Sequence, residues 1–123
     1  MTNEIDTNTQ SSFLEEFGLN PTESRIYISL LKSGGGTIGN IYKETGIKRT
    51  TAYSSIEGLI RKGLARYEEF GFKRKIVPEN PQRLAAILKE KSTKLEKQLP
   101  VLESIFNEPG AESYIKYYKG DYI

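Results

Sequence analysis

Residues 45–63 read TGIKRTTAYSSIEGLIRKG, from Thr45 to Gly63, and their spacing decides the fold. Ala52, Ile56, Leu59 and Ile60 recur at threes and fours, which puts them on one face of a helix from about Lys48 to Lys62. Gly63 suits the left-handed residue that ends such a helix. Arg49, Thr50, Tyr53, Ser54, Glu57 and Arg61 fall on or near the opposite side. Just upstream, Thr37 is placed to cap a short helix that carries Ile38, Ile41 and Tyr42 and ends at Gly46. Two helices separated by little more than Thr45-Gly46-Ile47 form a helix-turn-helix.

After Gly63 the period changes from 3.6 to 2. Leu64 to Glu69 and Lys73 to Val77 read as two strands around Phe70-Gly71-Phe72. A basic hairpin that directly follows the second helix of a helix-turn-helix is a wing. On the other side, Asn20, Pro21 and Glu23 supply an N-cap, a first-turn proline and a capping box for a helix with Ile26, Tyr27, Leu30 and Leu31 on one stripe. Gly34-Gly35-Gly36 ends it as a flexible turn; the run follows a helix and lacks the Lys-Ser/Thr of a phosphate loop. Phe13, Leu14 and Phe17 make a short amphipathic turn, and residues 1–12 are polar and aperiodic, a disordered tail.

Downstream, Asn80-Pro81 opens a long helix. Leu84, Ile87, Leu88, Leu95, Leu99, Leu102, Ile105 and Phe106 form a stripe in which Leu88, Leu95 and Leu102 are seven apart. Pro100 predicts a kink or a break near Gln98–Leu99. Such a stripe outruns a small domain and suggests pairing with a second copy through Leu84, Leu88, Leu95, Leu99, Leu102 and Phe106. Packing against Phe13, Leu14 and Phe17 within one chain is the alternative. The expected organisation is a tail over 1–12, a winged helix-turn-helix over 13–79, a dimerisation helix over 80–108 and a C-terminal segment over 109–123, with strand character at Ser113 to Tyr118.

Composition narrows the function. In 123 residues there is no Cys and no His, which removes disulfides, thiolate and imidazole metal sites and the commonest general base. The carboxylates form no close pair on one predicted face, so no catalytic residue, metal or cofactor is expected and the chain reads as a non-enzyme. No apolar run reaches the ~18 residues of a membrane span, and the first ten residues lack the pattern of a signal peptide, so a cytoplasmic location is expected.

The net charge of +2 is unevenly spread. Residues 47–78 hold eight bases (Lys48, Arg49, Arg61, Lys62, Arg66, Lys73, Arg74, Lys75) against Glu57, Glu68 and Glu69, a local +5. Residues 1–36 hold two bases against five acids, and residues 79–123 hold seven of each. That asymmetry points to a polyanion facing the second helix and the wing.

In a helix-turn-helix the start of the second helix enters the major groove. Arg49 is then suited to a bidentate guanine contact, with Lys48, Thr50, Thr51, Tyr53 and Ser54 in reach of phosphates or bases. Lys73, Arg74 and Lys75 suit the phosphate backbone or a narrow minor groove, with Glu68 and Glu69 facing away. Those bases would equally protect an exposed strand edge. The reading is a sequence-specific, dimeric regulator on double-stranded DNA; the alternative is a winged-helix module that binds an acidic protein through the same faces.

Four motifs carry a family resemblance. Phe17-Gly18-Leu19-Asn20-Pro21-Thr22-Glu23-Ser24-Arg25-Ile26-Tyr27 through Leu31 resembles the opening of TrmB-family transcriptional regulators. Thr45 to Tyr53 is similar to that family's recognition-helix start, Leu59 to Leu64 to its helix-to-wing junction, and Val77 to Pro81 to its exit into the long helix. Lys48 stands where many members carry Pro. The resemblance spans about residues 13 to 107 and implies a mainly α fold with a small β-hairpin wing: a winged helix-turn-helix followed by a coiled-coil-like dimerisation helix. It also implies a C-terminal domain for sugars or other small ligands, whose first strand Ile115 to Gly120 resembles. A small-molecule effector is expected only of a natural chain that continues past Ile123.

Overall fold

The chain is described here by a computed structural model, which covers residues 7–108. Segments 1–6 and 109–123, with the strand expected at Ser113 to Tyr118, lie outside the described residues. Helix α1 spans Thr7–Phe17, α2 Pro21–Ser33, α3 Ile38–Thr45 and α4 Arg49–Arg61; strands β1 (Ala65–Phe70) and β2 (Lys73–Pro78) follow, then helix α5 (Gln82–Phe106). The described chain divides into two units, with the boundary between Arg83 and Leu84 in the first turn of α5.

Local chemistry sets the helix limits of the first unit. The Asn20 side chain accepts from the Glu23 amide at 2.7 Å while Glu23 Oε1 accepts from the Asn20 amide at 3.0 Å, a complete capping box. Thr37 and Asn40 repeat the device at α3, and Gly34 and Gly46 end α2 and α3 in the left-handed region. Ile26, Tyr27 and Leu30 of α2, Ile41 of α3 and Ala52, Ile56 and Leu59 of α4 meet in the core with Leu64 and Ile76.

The polar N-terminal segment is helical from Thr7, not disordered through residue 12. Propensity alone would not hold it; α1 docks on α2 by burying Leu14, to which Leu19 and Gly18 return their amides.

The glycine run also departs from expectation. Gly36 and Ile76 exchange both backbone hydrogen bonds, at 3.0 and 2.7 Å, so the run adds a single antiparallel bridge from a third chain segment to β2. Gly35 has φ 120° and a Cβ there would stand 2.8 Å from the Ile76 carbonyl oxygen, so only glycine admits this approach. It is a docking segment rather than a free turn.

Helix α5 is capped by Asn80, whose side chain accepts from the Gln82 amide at 2.8 Å. It continues unbroken through Pro100, which removes the break but not the kink from the two outcomes expected there. The proline removes one amide and crowds the carbonyl one turn back, at a cost of about 3 kcal/mol, yet helical turns are kept on either side and the last closes from Asn107 to Glu103 at 2.9 Å. None of its residues is buried, and Leu88, Leu95, Leu99, Leu102, Ile105 and Phe106 are all exposed.

Candidate nucleic-acid interface

The wing is built on a two-residue turn, Gly71-Phe72, with register Ala65 opposite Pro78 through Phe70 opposite Lys73. Gly71 takes φ 63°, the conformation such a turn requires at its first position. This register puts Tyr67 opposite the buried Ile76 and Glu69 opposite Arg74, with Glu68 opposite Lys75. Each carboxylate therefore shares a ladder position with a base, and the pair does not face away from the basic residues together. Two residues of turn fix the register, and the register fixes the faces.

A chain of contacts joins the wing to α4. The Tyr67 hydroxyl donates to Glu57 Oε2 at 2.9 Å, and the Arg74 guanidinium lies 3.9 Å from the centre of the Tyr67 ring. Burial, then the hydrogen bond to Glu57, raise the Tyr67 phenol above its ordinary pKa, and the neighbouring Arg74 opposes this. The phenol thus stays protonated and donating at neutral pH. Glu57, an acid on the solvent face of α4, serves as the acceptor that places the wing.

Between these elements lies a cleft of about 360 Å³. Arg49 and Tyr53 of α4 line one side, Tyr67, Lys73, Arg74 and Ile76 of the wing another, and Thr37, Ile38 and Gly39 at the start of α3 the floor. Of the residues expected to contact a polyanion, Arg49, Tyr53, Lys73 and Arg74 come together here. Lys48, Thr50, Thr51 and Ser54 are exposed outside the lining, and Lys75 lies 5.4 Å from the centre of the Phe70 ring. Tyr67 and the α3 start were not legible as site residues, because only the folded hairpin brings them beside α4.

The positive charge is sorted as well as gathered. Lys62 reaches the buried Glu23 carboxylate at 2.8 and 3.0 Å, and Arg66 pairs with Glu68 at 3.2 Å and Glu79 at 3.4 Å. The other six bases of residues 47–78, namely Lys48, Arg49, Arg61, Lys73, Arg74 and Lys75, have no acidic partner among the described residues. No described side chain caps α4, so its first amides add their partial positive charge beside Lys48 and Arg49. Among the described residues no cluster of three or more His, Cys, Asp or Glu is arranged for a metal, and no helix is long and apolar enough to cross a membrane.

Comparison with known proteins bears on the fold and the family. The chain is 35% identical over 77 residues to the HTH-type sugar sensing transcriptional regulator TrmBL1 of Pyrococcus furiosus, a match over 63% of this chain and 22% of that protein. It therefore spans about a fifth of that relative's length. Its fold is similar to TrmBL2, described as an archaeal chromatin protein with a novel mode of DNA binding, at a TM-score of 0.73 and 19% identity over 82% of this chain and 39% of the other. A homodimeric winged helix-turn-helix DNA-binding domain of Mycobacterium bovis, Mb0332, is similar at a TM-score of 0.50 and 18% identity over 79% of this chain and 93% of that one. The family model described as sugar-specific transcriptional regulator TrmB matches residues 14–88. That match covers more than half of a chain folded as a winged helix-turn-helix, and the chain belongs to the TrmB family of transcriptional regulators.

Proposed function

We propose that the chain binds double-stranded DNA sequence-specifically, as a dimer on operator sites, and thereby regulates transcription. The observation that carries this reading is the cleft in which Arg49 and Tyr53 of α4 face Lys73 and Arg74 of the wing; its three bases are among the six of residues 47–78 with no acidic partner among the described residues. Arg49 reads a base edge, with Lys48, Thr50, Thr51, Tyr53 and Ser54 of α4 on nearby bases or phosphates. Lys73, Arg74 and Lys75 hold the backbone. Residues 80–108 join two copies through Leu84, Leu88, Leu95, Leu99, Leu102 and Phe106, which would set two half-sites about one helical turn apart. The exposed leucines at seven-residue spacing support that pairing, and the homodimeric Mycobacterium bovis domain is consistent with it. A cytoplasmic location belongs to the same proposal. Sugar response, which the relatives' descriptions name, is proposed only for a longer natural chain.

The test compares Arg49→Ala with Lys73→Ala on a duplex selected by the chain from a random-sequence pool and on unselected duplex. Arg49→Ala should cost about tenfold or more on the selected duplex and little on the other. Lys73→Ala should weaken both alike. Equal losses from both changes on both duplexes would remove Arg49 from base readout.

A further inference from the structure

The end of the wing carries a feature that the cleft does not use. The turn uses glycine at Gly71, with its φ of 63°, and seats a phenylalanine at the position after it. That residue is Phe72, whose side chain is fully exposed at 108%, and Phe70 beside it is 67% exposed. No ring contact involves Phe72 among the described residues. The six residues from Phe70 to Lys75 hold three bases and no acid; of the two acids just before them, Glu68, opposite Lys75, is paired with Arg66 at 3.2 Å, and Glu69 stands opposite Arg74.

An aromatic plate held out of the protein in a collar of positive charge calls for a partner that is anionic at its rim and apolar behind it. An apolar protein pocket would leave the collar desolvated and unpaired. Stacked bases behind two rows of phosphate meet both demands. Side chains that enter the minor groove with basic neighbours wedge between base steps in just this way, and phenylalanine is among them.

Resting on the DNA-binding reading above, we propose that Phe72 is a wedge. When the chain binds duplex DNA, the tip of the wing enters the minor groove beside the site read by α4, and the Phe72 ring inserts between neighbouring base pairs. Lys73 and Lys75 lie along the flanking phosphates. The wedge adds a preference at a position with no hydrogen-bonded readout, for the pyrimidine–purine steps that unstack most readily.

The chain contains no tryptophan, so Phe72→Trp installs a lone indole. The substitution leaves the core untouched because the side chain packs on nothing. With duplex selected by the unaltered chain, the indole emission should be quenched at saturation and its access to acrylamide should fall several-fold. Phe72→Ala should weaken the selected duplex by about tenfold and straighten it, read as end-to-end energy transfer. An indole that stays as open to acrylamide in the saturated complex as in the free protein overturns the wedge and leaves DNA binding standing. So does a Phe72→Ala variant with unchanged affinity and a lower sedimentation mass, which would make the tip a contact between proteins. Failure to select any duplex at low salt overturns the wedge together with the reading beneath it.

Discussion

Glu23 ties the start of one helix to the end of another. It is 3% exposed, it closes the α2 capping box, and both its oxygens accept from Lys62 Nζ at the end of α4. Gly58, one turn before Lys62, makes the room: a Cβ there would overlap Glu23 Oε2. Helix propensity alone says that Gly58→Ala stabilises by about 1 kcal/mol. Here it should destabilise by about 1–2 kcal/mol, because the carboxylate must give up its cap or its lysine. Urea unfolding decides between the signs, and a gain in stability would mean the carboxylate relocates freely. The box itself was legible in Asn20 and Glu23, three apart. The link to Lys62 was not, because it joins residues 39 apart through a glycine that reads as a weak point in a helix. Two phenols give a second residue-scale test. Burial and the charge of Glu79 raise Tyr27 above its ordinary pKa, and burial with the Glu57 bond raises Tyr67. A folded-state pKa above the unfolded one means folding favours the protonated phenol, so that stability is complete below about pH 10 and is lost as pH rises through the raised values. Stability should therefore fall as pH rises above about 10, and less steeply in Tyr27→Phe; identical slopes would remove Tyr27 from the linkage.

At the scale of elements, the helices and the hairpin were legible because each has a period that its own residues keep. What the period cannot carry is how one element sits on another. The Gly34–Gly36 run has no side chains to form a pattern, yet Gly36 completes the wing by its bonds to Ile76. The placement of Glu68 and Glu69 depends on the length of the turn, and a shift of one residue would have exchanged their faces. The segment from Thr7 looked too polar for a helix because its stability comes from Leu14 docking on α2. Helix α5 shows the converse: its stripe was plain in the sequence, and in the fold Leu95 stays 51% exposed. On the dimer proposed above, Leu95→Asp should halve the sedimentation mass while leaving the helix content of the first unit intact. A mass unchanged by the substitution would assign the stripe to some other role.

For the whole molecule, the formal charge of +2 hides the arrangement that matters. Two of the eight bases in residues 47–78 are spent on holding the fold, Lys62 on Glu23 and Arg66 on Glu68 and Glu79. The remaining six are spread over α4 and the wing. The sequence shows the excess; only the structure shows which bases remain open to a partner. If those bases meet phosphates, association must release counterions, and affinity must fall steeply with salt. The most direct measurement is the dissociation constant for a duplex selected by the chain, titrated from about 50 to 200 mM salt. Six or more phosphate contacts predict a loss of roughly a thousandfold or greater across that range. No duplex binding at the low-salt end, or an affinity that hardly changes across the range, would contradict the account.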